Sequence, residues 1–163
     1  MDAAARAVDV VNGRDWEALA KLLRDGDPRV RTLALTTLVR HGPRRESGPA
    51  WRDAAHDADP RVRLRAAQLA PQLGRAVSCA ALLALLDDDD AWVREAAVHA
   101  LGEHPRCSTR ALDALVRTTI SDPDPLLREA AVAALGAQGA PKTLDAVLHA
   151  CDDKPAIRRR AVL

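Results

Sequence analysis

Small and apolar side chains return along this chain at helical spacing, and the same face is written out several times. Counting from Val30 they fall at offsets three, four, seven and eight, as Leu33, Ala34, Thr37 and Leu38. From Val93 these offsets carry Ala96, Ala97, Ala100 and Leu101, and from Leu127 they carry Ala130, Ala131, Ala134 and Leu135. From Val62 the series is Ala66, Leu69 and Ala70, with Arg65 breaking offset three. That recurrence predicts one buried face on each of four helices. At offset twelve stand Gly42, Gly74, Pro105 and Gly139, residues that end helices or begin loops. Each helix should therefore run about three turns.

A seven-residue motif precedes every such helix. It begins at Asp25, Asp57, Asp88, Asp122 and Asp152 and ends, six positions on, at Arg31, Arg63, Arg94, Arg128 and Arg158, with an aliphatic residue just before the arginine. A period of roughly 30 to 34 residues marks an array of stacked units. The third residue of four copies, Asp27, Asp59, Asp90 or Asp124, suits an N-cap, since its carboxylate can accept from the free N–H groups of a starting helix. Proline follows in four copies, as Pro28, Pro60, Pro125 and Pro155, where a missing N–H costs nothing.

Between these helices the chain provides partners. Asp15 opens one through Trp16, Leu19, Leu22 and Leu23, and others are expected around residues 51–56, 76–86, 109–120 and 141–150. Residues 2–11 read as a helix ended by Asn12-Gly13 that caps the array. Residues 42–49, rich in Gly and Pro, read as the longest irregular stretch. Pro71 should bend or fray its helix, because proline removes a backbone hydrogen bond. The last helix, from Pro155, is about a turn short and lacks a polar outer face. Either Arg158, Arg159 and Arg160 cap it, or the C-terminal repeat self-associates.

The motif and the small-residue helix after Val-Arg resemble the HEAT repeat, in particular its short PBS-lyase HEAT-like variety. The resemblance implies an all-α fold, a right-handed α-solenoid of about five helix pairs. It would be a single domain over residues 1–163, with a cap helix at 2–12 and repeats at about 14–42, 47–74, 76–105, 107–139 and 141–163. It further implies a ladder in which the arginine of one repeat pairs with the aspartate of a neighbour. Carried over, the ladder joins Asp25, Asp57, Asp88, Asp122 and Asp152 with Arg31, Arg63, Arg94, Arg128 and Arg158. The family includes scaffolds, adaptors, chromophore lyases and a few enzymes, so the resemblance implies a fold more than an activity.

Composition narrows the choices. Charged residues make up 29% and the formal net charge is +1, so no global field steers the chain toward polyanions. Arginine outnumbers lysine, which nucleotide bias in the coding sequence explains as well as phosphate recognition does. Cys79, Cys107 and Cys151 are an odd, unpaired set that fits reduced thiols. With no signal peptide and no membrane span in view, a cytoplasmic location is expected.

Candidate chemistry is sparse. His41 and His104 occupy equivalent positions two repeats apart, too distant to share a metal, while His99, His56 and His149 read as surface or helix-end residues. No His-Glu step occurs, so the iron-binding pairs of deoxyhypusine hydroxylase, a HEAT-like enzyme, are missing. Cys79 reads as a small core residue; Cys107 begins a helix, where a thiolate is stabilised. Asp87 to Asp90 lack the glycine and distal glutamate of a calcium loop. No catalytic residue, metal site or cofactor is expected.

What remains is the inner face of the second helices, at offsets two, six and ten. It carries Thr32, Thr36 and Arg40; Leu64, Gln68 and Gln72; Glu95, His99 and Glu103; Glu129, Ala133 and Ala137. The middle is acidic, with Trp92 at its rim. The expected function is therefore a non-catalytic scaffold or adaptor that holds another protein through Gln68, Trp92, Glu95, His99, Glu103 and Glu129. The partner would bring basic or apolar segments. Carboxylates facing phosphates count against nucleic acid. Two alternatives are an enzyme similar to HEAT-like alkylpurine DNA glycosylases, of whose Trp and Asp set only Trp51 and Asp53 are reminiscent, and a bilin lyase or related phycobilisome factor, matched in the repeat alone.

Overall fold

The computed structural model describes residues 15–74, 79–104 and 108–150. The expected cap helix at 2–12, Cys107, Cys151, and the last motif with Asp152 and Arg158 lie outside the described residues. Among the described residues the chain is helical and without strands. The helices are α1 (Trp16–Leu22), α2 (Pro28–His41), α3 (Arg44–Ala54), α4 (Pro60–Leu73), α5 (Cys79–Leu85), α6 (Ala91–Glu103), α7 (Thr109–Ser121), α8 (Pro125–Gln138) and, after a 3-10 turn at Pro141–Thr143, α9 (Leu144–His149). None is long and apolar enough to cross a membrane.

The four described second helices start as the motif predicts. Asp27 accepts from the N–H of Arg29, Asp59 from Arg61, Asp90 from Trp92 and Val93, and Asp124 from Leu126, all at 2.8 to 3.2 Å. Two of them end on glycine with positive φ: Gly139 takes up left-handed backbone at φ 58° after α8, and Gly74 lies at φ 53° after α4.

Three expectations need revision. Residues 44–49 are the first half of α3, so the expected irregular stretch is mostly helix. Pro43 precedes the helix, Glu46 lies in its first turn, and the buried Ser47 hydroxyl shares its one hydrogen between the carbonyls of Leu38 and Pro43, at 3.0 and 3.1 Å, which fixes the start against α2. α4 continues past Pro71 to Leu73, because a proline in the last turn removes only one hydrogen bond before the helix ends anyway. The expected helix at 141–150 is split into a 3-10 turn and the short α9.

The chain divides into two compact units, Met1–Ala81 and Leu82–Leu163, and the division falls inside α5. In the first unit α2 packs along α4, α3 packs against both, and α1 lies on α2. Leu19, Ala34 and Leu38 form a cluster there, flanked by Trp16, Leu22, Leu23 and Ala50. Trp51 is 0% exposed, and its indole N–H donates to the carbonyl of Ala66 at 2.6 Å. This is the largest buried side chain in the unit, so α3 is anchored to α4 by both area and a satisfied polar atom.

In the second unit α6 packs along α8, α7 packs on α8, and α9 touches α7 and α8. Alanine-rich faces let α6 and α8 approach closely. A Cβ on Gly102 would stand 2.9 Å from the Cα of Ala134, so only glycine fits that crossing. Gln138 at the end of α8 holds the end of α6, the two hydrogens of its amide NH2 shared among the carbonyls of Leu101, Gly102 and His104 at 2.8 to 2.9 Å.

Candidate functional site

The repeated motif builds one local device four times. Its first aspartate accepts from the N–H two residues on, at 2.9 Å in Asp25, Asp57, Asp88 and Asp122 alike. Its arginine folds back, and Nη1 donates to that aspartate's own carbonyl: Arg31 to Asp25, Arg63 to Asp57, Arg94 to Asp88 and Arg128 to Asp122, at 2.7 to 2.8 Å. A second, longer bond reaches the next carbonyl, Gly26, Ala58, Asp89 or Pro123. The arginine therefore braces its own turn, a role the spacing alone does not reveal.

The other edge of the guanidinium can link repeats. Nε and Nη2 of Arg31 donate to the two carboxylate oxygens of Asp57 at 2.8 and 2.7 Å, with only 15% and 14% of the side chains exposed. Burial alone would raise the Asp57 carboxyl, but the bonds from Arg31 and from the Asp59 N–H outweigh it and hold the group below its ordinary value. The bond to Asp57 in turn raises Arg31. Arg94 makes the two carbonyl bonds but no ion pair to Asp122 among the described residues. Asp122 follows Asp88 by 34 residues, whereas Asp57 follows Asp25 by 32, and the connection between α6 and α7 is longer than that between α2 and α3.

On the second unit's α6–α8 face, Glu95 and Glu129 are half-buried and Glu103 is exposed. His99 is also exposed and lies 3.8 Å from Glu95. Trp92, the second residue of α6, is 69% exposed. Leu126, the second residue of α8, is 66% exposed, and sequence reasoning passed over it. The signal was available, since both residues sit two positions after a capping aspartate. Two large apolar side chains thus stand at matching starts of two adjacent helices, beside three carboxylates.

The corresponding α2–α4 face of the first unit has different chemistry. The matching positions are Arg29 and Arg61 in place of Trp92 and Leu126. Arg61 forks onto Asp59 at 2.9 and 2.7 Å, and that bond lowers the Asp59 carboxyl to about 2. Gln68 is exposed here and accepts from Arg65 at 3.3 Å. Arg65, which broke the apolar pattern, donates through Nε to the Thr36 hydroxyl at 2.9 Å. Where the helical offsets placed Arg40 among Thr32, Thr36, Leu64, Gln68 and Gln72, this face carries Arg29, Arg61 and Arg65 as well.

Other candidates do not converge. Asp53 lines a groove of about 630 Å³ between α1 and α3, with Trp16, Leu23, Arg24 and Pro49, while Trp51 is sealed inside the core. Trp51 and Asp53 therefore form no shared surface for a stacked base. His56 donates from Nδ1 to the Arg52 carbonyl as a helix-end residue, and Cys79 begins α5. No group of three metal-ligating side chains occurs among the described residues.

A family model for HEAT repeats matches residues 16–102, 48–118 and 80–163. A crystal structure of an engineered protein is similar over 98% of this chain and 81% of its own, at 17% identity and a TM-score of 0.64, which is a likeness of fold. No curated protein matches the chain.

Proposed function

Because the chain belongs to the HEAT-repeat family, an all-α solenoid class that is generally non-catalytic, we propose that it is a scaffold whose α6–α8 face holds another protein. The observation that carries this reading is the exposure of Trp92 and Leu126 beside Glu95, Glu103 and Glu129, with His99 the one basic side chain among them. Exposed large apolar groups bordered by charge are how partner surfaces are built, and tryptophan is a favoured anchor. The carboxylates select a basic segment and speed its approach. The matching partner is an amphipathic stretch with apolar side chains at helical spacing and Lys or Arg beside them.

A fluorescein-labelled Lys/Leu amphipathic peptide provides the probe, read by anisotropy. Trp92→Ala should weaken it by about tenfold, the loss of one modest anchor. Joint reversal of Glu95, Glu103 and Glu129 to Lys should weaken it further and abolish recovery of whatever partner the wild-type chain retains from native cells. Unchanged affinity in both variants removes this face.

A further inference from the structure

The α2 and α4 helices pack side by side and carry six arginines and no carboxylate. Three of these arginines are accounted for. Arg31 is bound to Asp57, Arg61 to Asp59, and Arg63 holds the carbonyls of its own turn. Arg29, Arg40 and Arg65 have no carboxylate partner among the described residues. On a helix, residues 29, 32, 36 and 40 fall on one side, as do 61, 65, 68 and 72, so the three guanidiniums share the face that also presents Thr32, Thr36, Gln68 and Gln72.

Arg65 is half-buried there, fixed by Thr36 and Gln68 and not by an anion. Burial, and then the charge of Arg40, press its pKa below the ordinary guanidinium value. Two like charges held together in part-buried surroundings without a counter-charge favour an added anion. We propose that this α2–α4 face binds an acidic segment of a protein, with carboxylates taken by Arg40 and Arg65 and the segment's end held by Arg29.

The dimensions define the ligand. Arg29 and Arg40 are eleven residues apart on α2, a rise of about 16 Å, which an extended peptide of about five residues spans. The guanidinium fork matches a carboxylate in two-point contact, and the hydroxyls and amides between the arginines suit a peptide backbone. Nucleic acid fits less well. Three guanidiniums release few counterions, and neither α2 nor α4 carries a Trp, Tyr or Phe side chain on which a base could stack. The proposal extends the scaffold reading to a second face of opposite sign, and it stands or falls separately.

The test uses the full chain and labelled hexaglutamate, with anisotropy as the readout at low salt. Arg40→Gln with Arg65→Gln should weaken binding at least tenfold, and Arg29→Gln about threefold. Trp92→Ala should leave this affinity unchanged, which keeps a failure here distinct from a failure of the α6–α8 face. Lys142→Gln, which removes a positive charge paired with Asp113 in the other unit, should also change nothing. Should Arg65→Gln fail to fold by circular dichroism, the exposed pair Arg29→Gln with Arg40→Gln gives the same reading. Equal affinity in the arginine variants and the wild type would overturn the proposal, as would an equal loss in Lys142→Gln. Tighter binding of a 12-base-pair DNA duplex than of hexaglutamate would also overturn it, and so would displacement of the peptide by 1 mM inorganic phosphate.

Discussion

Replacing Asp57 with Asn isolates what one inter-repeat ion pair contributes. The amide oxygen can still accept from the Asp59 N–H, so the turn keeps its local bond and only the charge facing Arg31 is lost. Two bonds between opposite charges at 2.7 and 2.8 Å become at best one bond to a neutral oxygen, and a guanidinium only 15% exposed is left without its counter-charge. Removing one partner of a fully buried pair costs about 3 to 5 kcal/mol, and partial exposure reduces this to about 2 kcal/mol. At about 2 to 4 °C per kcal/mol for a chain of this size, the melting temperature at pH 7 should fall by about 4 to 8 °C. Lys21→Ala is the control. It breaks an exposed pair with Glu17, 3.6 Å apart at 77% and 86% exposure, and should shift the melt by less than about 1 °C. The pH dependence adds a second constraint. The Asp57 carboxyl lies below its ordinary 3.8 in the folded chain, so its stabilisation is whole above about pH 4 and drains away as pH falls through the lower folded-state value. The gap between wild type and Asp57→Asn should therefore close in acid. Melts followed at 222 nm from pH 7 to pH 2 provide the measurement. A gap no larger than the Lys21 control at pH 7, or one undiminished at pH 2, refutes the reasoning.

Other substitutions test the packing. Gly102→Ala forces a Cβ to 2.9 Å from the Ala134 backbone and should cost about 1 to 3 kcal/mol in urea unfolding. Gly136→Ala, in the same helix pair with nothing within 4 Å, should instead gain about 0.5 to 1 kcal/mol. Trp51→Phe removes the donor to the Ala66 carbonyl and trims the core, so a loss of about 1 to 2 kcal/mol is expected in the same assay.

Capping aspartates, proline starts and glycine stops were legible because each works within a few residues, and a local rule repeated at fixed period announces itself. The start of α3 was not. Arg44 to Pro49 have loop-like composition, and what holds them in a helix is the Ser47 hydroxyl on the Leu38 carbonyl, nine residues back on another helix. Arg65 was hidden for a related reason. A charged residue on an apolar stripe reads as a defect until its neighbour's Thr36 is seen to receive it. The absence of an Arg94 to Asp122 ion pair among the described residues was equally hidden, because the motif reads alike at both ends. Of the two proposed faces, the glutamates and Trp92 could be placed by helical offset, whereas the basic character of the α2–α4 face emerged only after subtracting the arginines already bound to aspartates.

The bond from each motif arginine to the carbonyl six residues earlier has a kinetic meaning. It closes a very short loop, so the entropy lost is small and the turn can set before any two helices meet. Each of the four described copies thus arrives with its own corner already formed. A tandem duplication of such a segment would need no new long-range solution to fold, which is how a chain of this kind can lengthen by whole units while each corner keeps its shape.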